Sequence, residues 1–445
     1  MDVNKQFEIG YQYFQKKDFT KAIPYFVNII NNVNRETGLE IIPYLMPCLL
    51  DLREYDLIIK LVTNIEKDLE DFHFPTGYFS IAVAYVTKEK WKKAIRYFLK
   101  SLRQFEKDDP KDKQVISNIY FELGSAYSSI GRNKKCIKCY KKAIKVSDND
   151  HPEASFNLAQ KLADLNKHRK ALRYYDNVIN GKDFTIVAEA YYYKGRALHE
   201  LEMYKDAVSS LVMAETLSGG KHALANYQKG LALVALNQTK DSIISFEKSV
   251  EHSKNKKFPQ GSFNLGLSYY RSGYFQKAIN SFSKAEQDSE ENKFPEASVQ
   301  KGNVYVKVGL YDEALESYLK AESDSNGGKF PGASTNRATI LNELGKYEES
   351  IEAYNKALND SPNGKFPVAS YGKAGPLAKL NFIKDAIDSF SKAEVDSPDG
   401  KFPLASFEKA KLLFLRVNSS LAIKSLQKAI NDSSKKHYPE AYLWL

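Results

Sequence analysis

A chain of 445 residues is long enough for about three ordinary domains. With 43% hydrophobic and 27% charged residues it has the make-up of a folded globular protein rather than a disordered one, and no run approaches the eighteen or so apolar residues of a membrane span. The formal charge of +10 points toward acidic partners; three cysteines exclude a disulfide scaffold and fit a reducing compartment, and MDVNKQFEIG lacks the basic-then-apolar order of a secretory signal, so a soluble, cytoplasmic chain is expected.

Internal repetition decides the fold class before any domain count. Lys-Phe-Pro occurs at 257–259, 293–295, 329–331, 365–367 and 401–403, and an altered copy, His437-Tyr438-Pro439, keeps the same 36-residue step. Each Pro predicts a helix start, because its missing N–H would be unpaired there anyway. The unit then reads as two helices, 262–273 and 275–287 in one copy, with Gly273 at the turn. Small residues such as Gly266 and Ala278 let the pair approach closely, and aromatic side chains fill the space between pairs.

In chain order the close-packing Gly or Ala place is held by Gly10, Met46, Ala82, Gly124, Ala159, Gly195, Gly230, Gly266, Gly302, Ala338, Ala374 and Ala410, at steps of 35 or 36 apart from one of 42. That register divides one continuous array, 1–445, into N-terminal repeats (1–103), a charged inter-repeat loop (104–114), central repeats (115–256) and regular repeats (257–445), the last incomplete. The unit at 39–70 is degenerate: Pro43 and Pro47 predict a bent or broken first helix, and Pro376 predicts an interruption in the eleventh. In the last five copies the fourth place of the first helix is Ser (262, 298, 334, 370, 406), and the Phe before each helix either fills the volume this leaves or staples the helix start.

The spaced residues Leu265, Gly266, Tyr269, Gly273, Phe275, Ala278, Phe282 and Ala285 resemble a tetratricopeptide repeat. The resemblance covers the whole chain and implies an all-α, right-handed superhelical α-solenoid of about twelve helix-turn-helix units plus part of a thirteenth, with first helices lining a concave groove that holds an extended peptide or a helix. On that face the fifth place of the first helix is aromatic in nine of eleven described repeats. Phe79, Phe121, Phe156, Tyr192, Tyr227, Phe263, Tyr371 and Phe407 belong to this ladder, which Val299 and Thr335 break. Packing between repeats and recognition of a partner both suit such rings. Polar groups beside them, Arg196, Asn264, Tyr270, Arg271, Asn303, Lys307, Asn336 and Asn342, are candidates for setting a ligand's register.

Catalytic chemistry finds no constellation, and no cofactor or metal is expected. Cys136 and Cys139 form a lone CxxC, and Cys136 occupies a buried small-residue place. The recurrent Asp-Ser pairs are turn formers.

Charge is unevenly spread: residues 88–173 hold 22 Lys and Arg against 10 Asp and Glu, net +12, so the rest is net −2. Lys92, Lys93 and Arg96, then Arg132, Lys134, Lys135, Lys138, Lys141, Lys142 and Lys145, fall on second helices. In the family these helices face outward, so the resemblance implies a basic ridge, which is either solvated surface or an attractor for nucleic acid, anionic lipid or an acidic protein. A protein-binding scaffold is the leading expectation, with two alternatives: the recognition arm of a larger effector whose catalytic domain lies beyond Leu445, and nucleic-acid binding through the ridge. PEAYLWL predicts that Tyr442, Trp444 and Leu445 are uncovered, which would favour self-association.

Overall fold

Proline and phenylalanine set where the first helices begin. In the computed structural model Phe258, Phe294, Phe330 and Phe366 are N-caps in extended backbone, and Pro259, Pro295, Pro331 and Pro367 follow at the first helical position. Residues 2–32, 35–68, 74–108, 112–181, 186–415, 418–434 and 438–445 are described. Among them there is no strand, and twenty-five α-helices follow one another in packed pairs.

The chain divides into two compact units, 1–220 and 221–445, where the sequence suggests one array. The first unit holds α1 (Val3–Gln15) with α2 (Phe19–Asn32), α3 (Arg35–Asp51) with α4 (Tyr55–Asp68), α5 (Pro75–Thr87) with α6 (Trp91–Asp108), α7 (Lys113–Ser129) with α8 (Asn133–Val146), α9 (Pro152–Asp164) with α10 (His168–Ile179), and α11 (Val187–Glu200) with α12 (Tyr204–Leu217). The second holds α13 (Ala223–Ala235) with α14 (Thr239–Glu251), α15 (Pro259–Arg271) with α16 (Phe275–Asp288), α17 (Pro295–Val308) with α18 (Tyr311–Asp324), α19 (Pro331–Glu343) with α20 (Tyr347–Asp360), α21 (Pro367–Lys379) with α22 (Ile383–Asp396), α23 (Pro403–Leu415) with α24 (Ser419–Asp432), and α25 (Pro439–Trp444). Within a pair the turn places one residue in the left-handed region, as at Gly273 (φ 78°) and Gly309 (φ 80°); Glu89 and Glu202 occupy the same place at φ 55° and 59°.

The small-residue place is a steric requirement. A Cβ on Gly266 would stand 2.7 Å from the Phe282 ring, and one on Gly230 would stand 2.5 Å from Phe246. The second-helix ring therefore lies flat on the first helix's backbone and is itself fully buried.

Three sequence expectations are corrected. First, α3 runs through Pro43 and Pro47, because Ile42, Leu45, Met46 and Leu49 beside them are buried and their packing outweighs the missing backbone bonds. Second, α21 likewise continues through a buried Pro376 in its last turn. Third, the segment expected as a loop at 104–114 is helical over 104–108 and 113–114: α6 is extended, Gln104 accepts the Phe74 N–H at 2.8 Å, and Glu106 accepts the Tyr120 hydroxyl at 2.6 Å. Tyr442, Trp444 and Leu445 are exposed, as the sequence leads one to expect, although the Trp444 ring stands 5.9 Å from Phe414 and 6.4 Å from Phe407.

The serines at the fourth place have a use that the sequence does not announce. Glu286 and Glu394, buried on second helices, accept hydrogen bonds from Ser298 and Ser406 on the next first helices, each at 2.6 Å. They also pair with Lys301 at 3.0 Å and Lys409 at 3.1 Å; Glu322 pairs with Arg337 at 2.9 Å in the same places. The small hydroxyl leaves room for the carboxylate and bonds it, so neighbouring repeats are tied by a charge-assisted bond. Val250 and Leu358 replace the Glu in two repeats, and the facing Ser262 and Ser370 hydroxyls are buried without a partner; Ser334, which faces Glu322, is unpartnered too, so among the described residues the serine bond forms at Glu286 and Glu394. Lys373, opposite Leu358, finds no described carboxylate within 4 Å, and burial pulls its pKa down. Ser406→Ala is expected to cost about 1.5–3 kcal/mol, and Ser370→Ala to be neutral or stabilising. Urea unfolding midpoints of the two variants check this.

Candidate functional site

The aromatic ladder is built into the seams between repeats. Tyr227 lies 5.9 Å from Phe246 of its own second helix and 4.9 Å from Phe258, the cap of the next first helix. Phe263 stands likewise between Phe282 (5.7 Å) and Phe294 (5.2 Å), and Tyr371 between Phe390 (5.5 Å) and Phe402 (5.2 Å). Phe407 meets Tyr438 at 5.3 Å and is buried. Phe258, Phe294 and Phe402 thus cover the preceding repeat's rung, and Phe258 also lies over its own helix start, where a Cβ on Gly261 would meet its ring at 2.7 Å.

In the first unit Phe79 packs on Phe98 (5.7 Å), Phe121 on Tyr140 (5.9 Å) and His151 (5.1 Å), and Phe156 on Tyr175 (6.2 Å) and Tyr193 (5.5 Å). Tyr192 is buried, 5% exposed, whereas its neighbour Tyr193 is the ring that reaches Phe156. The sequence singled out Tyr192 from its register; the signal for Tyr193 would have been the absence of a Phe-Pro start before α11. Arg196 lies over both tyrosines, 5.9 and 5.6 Å from their centres.

Open recesses remain where the seams are incomplete. On the first-helix face of the second unit, Tyr270, Asn303, Lys307, Tyr318, Asn336 and Glu343 line one of about 310 Å³ spanning α15, α17 and α19. It lies in the repeats where Val299 and Thr335 break the ladder, both buried beneath the surface, and where the second-helix rings are Tyr318 and Tyr354. Tyr318 donates to Asn303 Oδ1 at 2.8 Å, Asn336 Nδ2 donates to the same oxygen at 3.2 Å, and Thr339 bonds the Tyr354 hydroxyl at 3.1 Å. Burial pushes the Tyr318 hydroxyl up to about 12, so it is a donor at neutral pH. Asn342 Oδ1, one turn along, is buried without a partner. Of the candidates, Tyr270, Asn303 and Lys307 are brought together here; Asn264 bonds the Tyr227 hydroxyl (3.2 Å), and Arg271 is exposed away from the recess.

On the first-helix face of the first unit, Phe79, Asn118, Phe121, Glu122, His151 and Glu153 line a recess of about 540 Å³. Burial raises the Glu122 pKa. His151 is 6% exposed; its Nδ1 accepts the Ala154 N–H at 3.3 Å and lies 3.0 Å from Glu153, and its Nε2 has no partner. Burial lowers its pKa, with Glu153 opposing. Arg196, Tyr193, Tyr175 and Gln160 line another recess, of about 460 Å³. Glu122, His151, Tyr193, Tyr318 and Thr339 were not among the sequence candidates.

The basic residues lie on α6 and α8 and before α8, and Lys92, Arg96, Arg132, Lys135, Lys138 and Lys142 border two adjoining recesses on the second-helix face. Lys93, Lys134, Lys141 and Lys145 are exposed outside them. Cys136 is fully buried, and burial pushes the Cys139 thiol up to about 11, so neither is an activated thiolate. Among the described residues no three His, Cys, Asp or Glu side chains are placed to hold a metal, and no helix is long and apolar enough to cross a membrane.

Paired helices stacked in register define an all-α helical repeat protein. Family models described as tetratricopeptide repeat match residues 117–150 and 299–365. Among solved structures, YrrB, a tetratricopeptide-repeat protein with an unusual peptide-binding site, matches at 25% identity over 42% of this chain and 92% of its own, with a TM-score of 0.36. MamA from Desulfovibrio magneticus RS-1 matches at 23% over 39% and 93%, with 0.35, and yeast Tom70 at 13% over 99% and 94%, with 0.39. A comparison with curated proteins finds no match.

His151 yields a pH prediction. Its folded pKa is depressed, so its contribution is fully present above the ordinary value of about 6.5 and is lost as pH falls through the folded pKa. Between pH 7.5 and 5.5 the wild type is expected to lose more stability than His151→Asn, which keeps a capping acceptor. Denaturant midpoints at both pH values, subtracted, isolate this group from Glu122, Asp150 and Glu153 in the same recess.

Proposed function

We propose that the chain is a scaffold that captures an extended polypeptide on its first-helix faces. The observation that carries this reading is the polar recess at the break in the aromatic ladder, where Asn303, Asn336 and the Tyr318 hydroxyl are held by one another before any ligand arrives. A preformed amide-rich surface suits peptide backbone, which presents one donor and one acceptor per residue, and it carries little ordering cost on the scaffold side. Lys307 and Glu343 at the rim offer charges of both signs for side chains. The recess bearing Glu122, Asp150 and Glu153 in the first unit suits a basic side chain.

In this reading the aromatic rungs position the recesses rather than act as the main contact. Truncating Phe156 or Phe263 would remove packing as well as surface, at about 3–5 kcal/mol each, so a binding test belongs on the rim. The probe is a random linear peptide library displayed on phage and selected against the full chain, followed by calorimetry on the enriched peptide. Asn336→Ala with Lys307→Ala is expected to weaken binding about tenfold or more with an unchanged unfolding midpoint. Failure to enrich any peptide, or an enriched peptide indifferent to both substitutions, would overturn the reading.

A further inference from the structure

Two recesses on the second-helix face of the first unit, of about 650 and about 350 Å³, share Leu99, Arg103, Tyr127 and Lys135 and so form one cleft between α6 and α8. Its floor is apolar: Ile95, Leu99 and Leu102 of α6, Leu123 and Tyr127 of α7, and Ile130. Its rims are basic, with Arg96 and Arg103 on one side and Arg132, Lys135, Lys138 and Lys142 on the other, all exposed. Glu106, at one end, is the one carboxylate among the lining residues, and it already accepts the Tyr120 hydroxyl. Arg96, Arg103, Arg132 and Lys138 have no carboxylate within 4 Å among the described residues, whereas Lys100 is paired with Glu66.

The repeats themselves show that folding does not ask for this chemistry. The place of Arg96, and of Lys138 one repeat later, is Asn280 in α16, Glu316 in α18, Glu352 in α20 and Asp388 in α22. The place of Leu99 is Ser283, Asn355 and Ser391 in α16, α20 and α22, and Leu319 in α18. Arg173 in α10 and Lys424 in α24 are basic at this place too, but four helices of the same form carry neutral or acidic groups there, so folding does not require the basic rim.

We propose that this cleft docks an amphipathic helix of a partner protein, one that carries an apolar stripe between acidic flanks. A helix about 10 Å across would set its stripe on Leu99 and Ile130, the half-buried apolar side chains above the closed Leu102 and Leu123, and bring its acids to the two rims, along the 18 residues, or about 27 Å, of α6. Charge complementarity selects the sign of the partner and speeds its encounter, and the apolar floor supplies the area that holds it. A nucleic acid fits less well, because its phosphates would leave that floor uncovered. The cleft's two tyrosines are also engaged: Lys135 lies 5.3 Å over Tyr127, and Lys142 lies 4.7 Å over Tyr120 and donates to its hydroxyl at 2.9 Å, so neither ring is a free platform for a base.

The test uses the full chain and fluorescence anisotropy. The probe is a labelled designed helix of about 18 residues with Leu at i, i+3, i+4 and i+7 and Glu on both flanks, read at about 50 and about 300 mM salt. Controls are the same composition shuffled to remove the stripe and a single-stranded RNA of about 20 nucleotides. The striped acidic helix is expected to bind, about tenfold or more tighter than the shuffled one, and to weaken with salt. Combined Arg96→Glu, Arg132→Glu and Lys138→Glu are expected to abolish binding, and Leu99→Ser to weaken it about threefold or more, with helicity unchanged. These residues lie off the first-helix face, so the peptides selected there should bind all of these variants normally. Equal binding of the shuffled peptide, tighter binding of the RNA, no binding below about 100 µM, or indifference to the substitutions would each overturn the proposal.

Discussion

The structure depends on how closely two helices approach at one small residue per repeat. With Gly or Ala there, the second-helix ring lies against the first helix's backbone, as Phe282 does at Gly266. With the ring in that place, its edge faces the next rung and leaves a shelf on which Phe263 rests, and Phe294 then closes the shelf from the following repeat. The rungs Tyr227, Phe263 and Tyr371 are each finished by a ring of the following repeat. The carboxylate ties from Glu286, Glu322 and Glu394 cross the same seams and set the spacing that the rings fill.

That dependence also locates the openings. Where Val299 and Thr335 replace an aromatic rung, the second-helix ring carries a hydroxyl, and Asn303 and Asn336 line a polar recess beside it. In the first unit the Phe-Pro start gives way to His151-Pro152, and the covering ring becomes an imidazole beside acids. The α6 extension and its basic rim belong to the other face. The two kinds of surface arise from separate departures from the repeat, one in the seam and one on the outer helices.

Much of this was legible in the sequence. The 36-residue step, the Pro starts, the Gly or Ala register and the turn at Gly273 each follow from a steric rule that one residue satisfies alone. Cooperative features were not. Pro43, Pro47 and Pro376 forecast breaks that burial overrides, and residues 104–108 read as loop by composition although Gln104 and Glu106 anchor them across 30 and 14 residues. The Ser and Glu partnership was hidden because its members lie 12 residues apart on different helices and each is unremarkable alone. For the site, the sequence named the rungs but not their direction: Tyr192 is inside and Tyr193 reaches the seam.

If the rungs are seam elements, their energy is shared with the capping ring of the next repeat. A double-mutant cycle on Tyr371→Leu and Phe402→Leu, read by urea unfolding of the full chain, measures that sharing directly, since the rings lie 5.2 Å apart on successive repeats. The account predicts that the pair couples by about 0.5–1.5 kcal/mol. Additive effects, with no coupling beyond about 0.3 kcal/mol, would contradict it and return the rungs to the open surface.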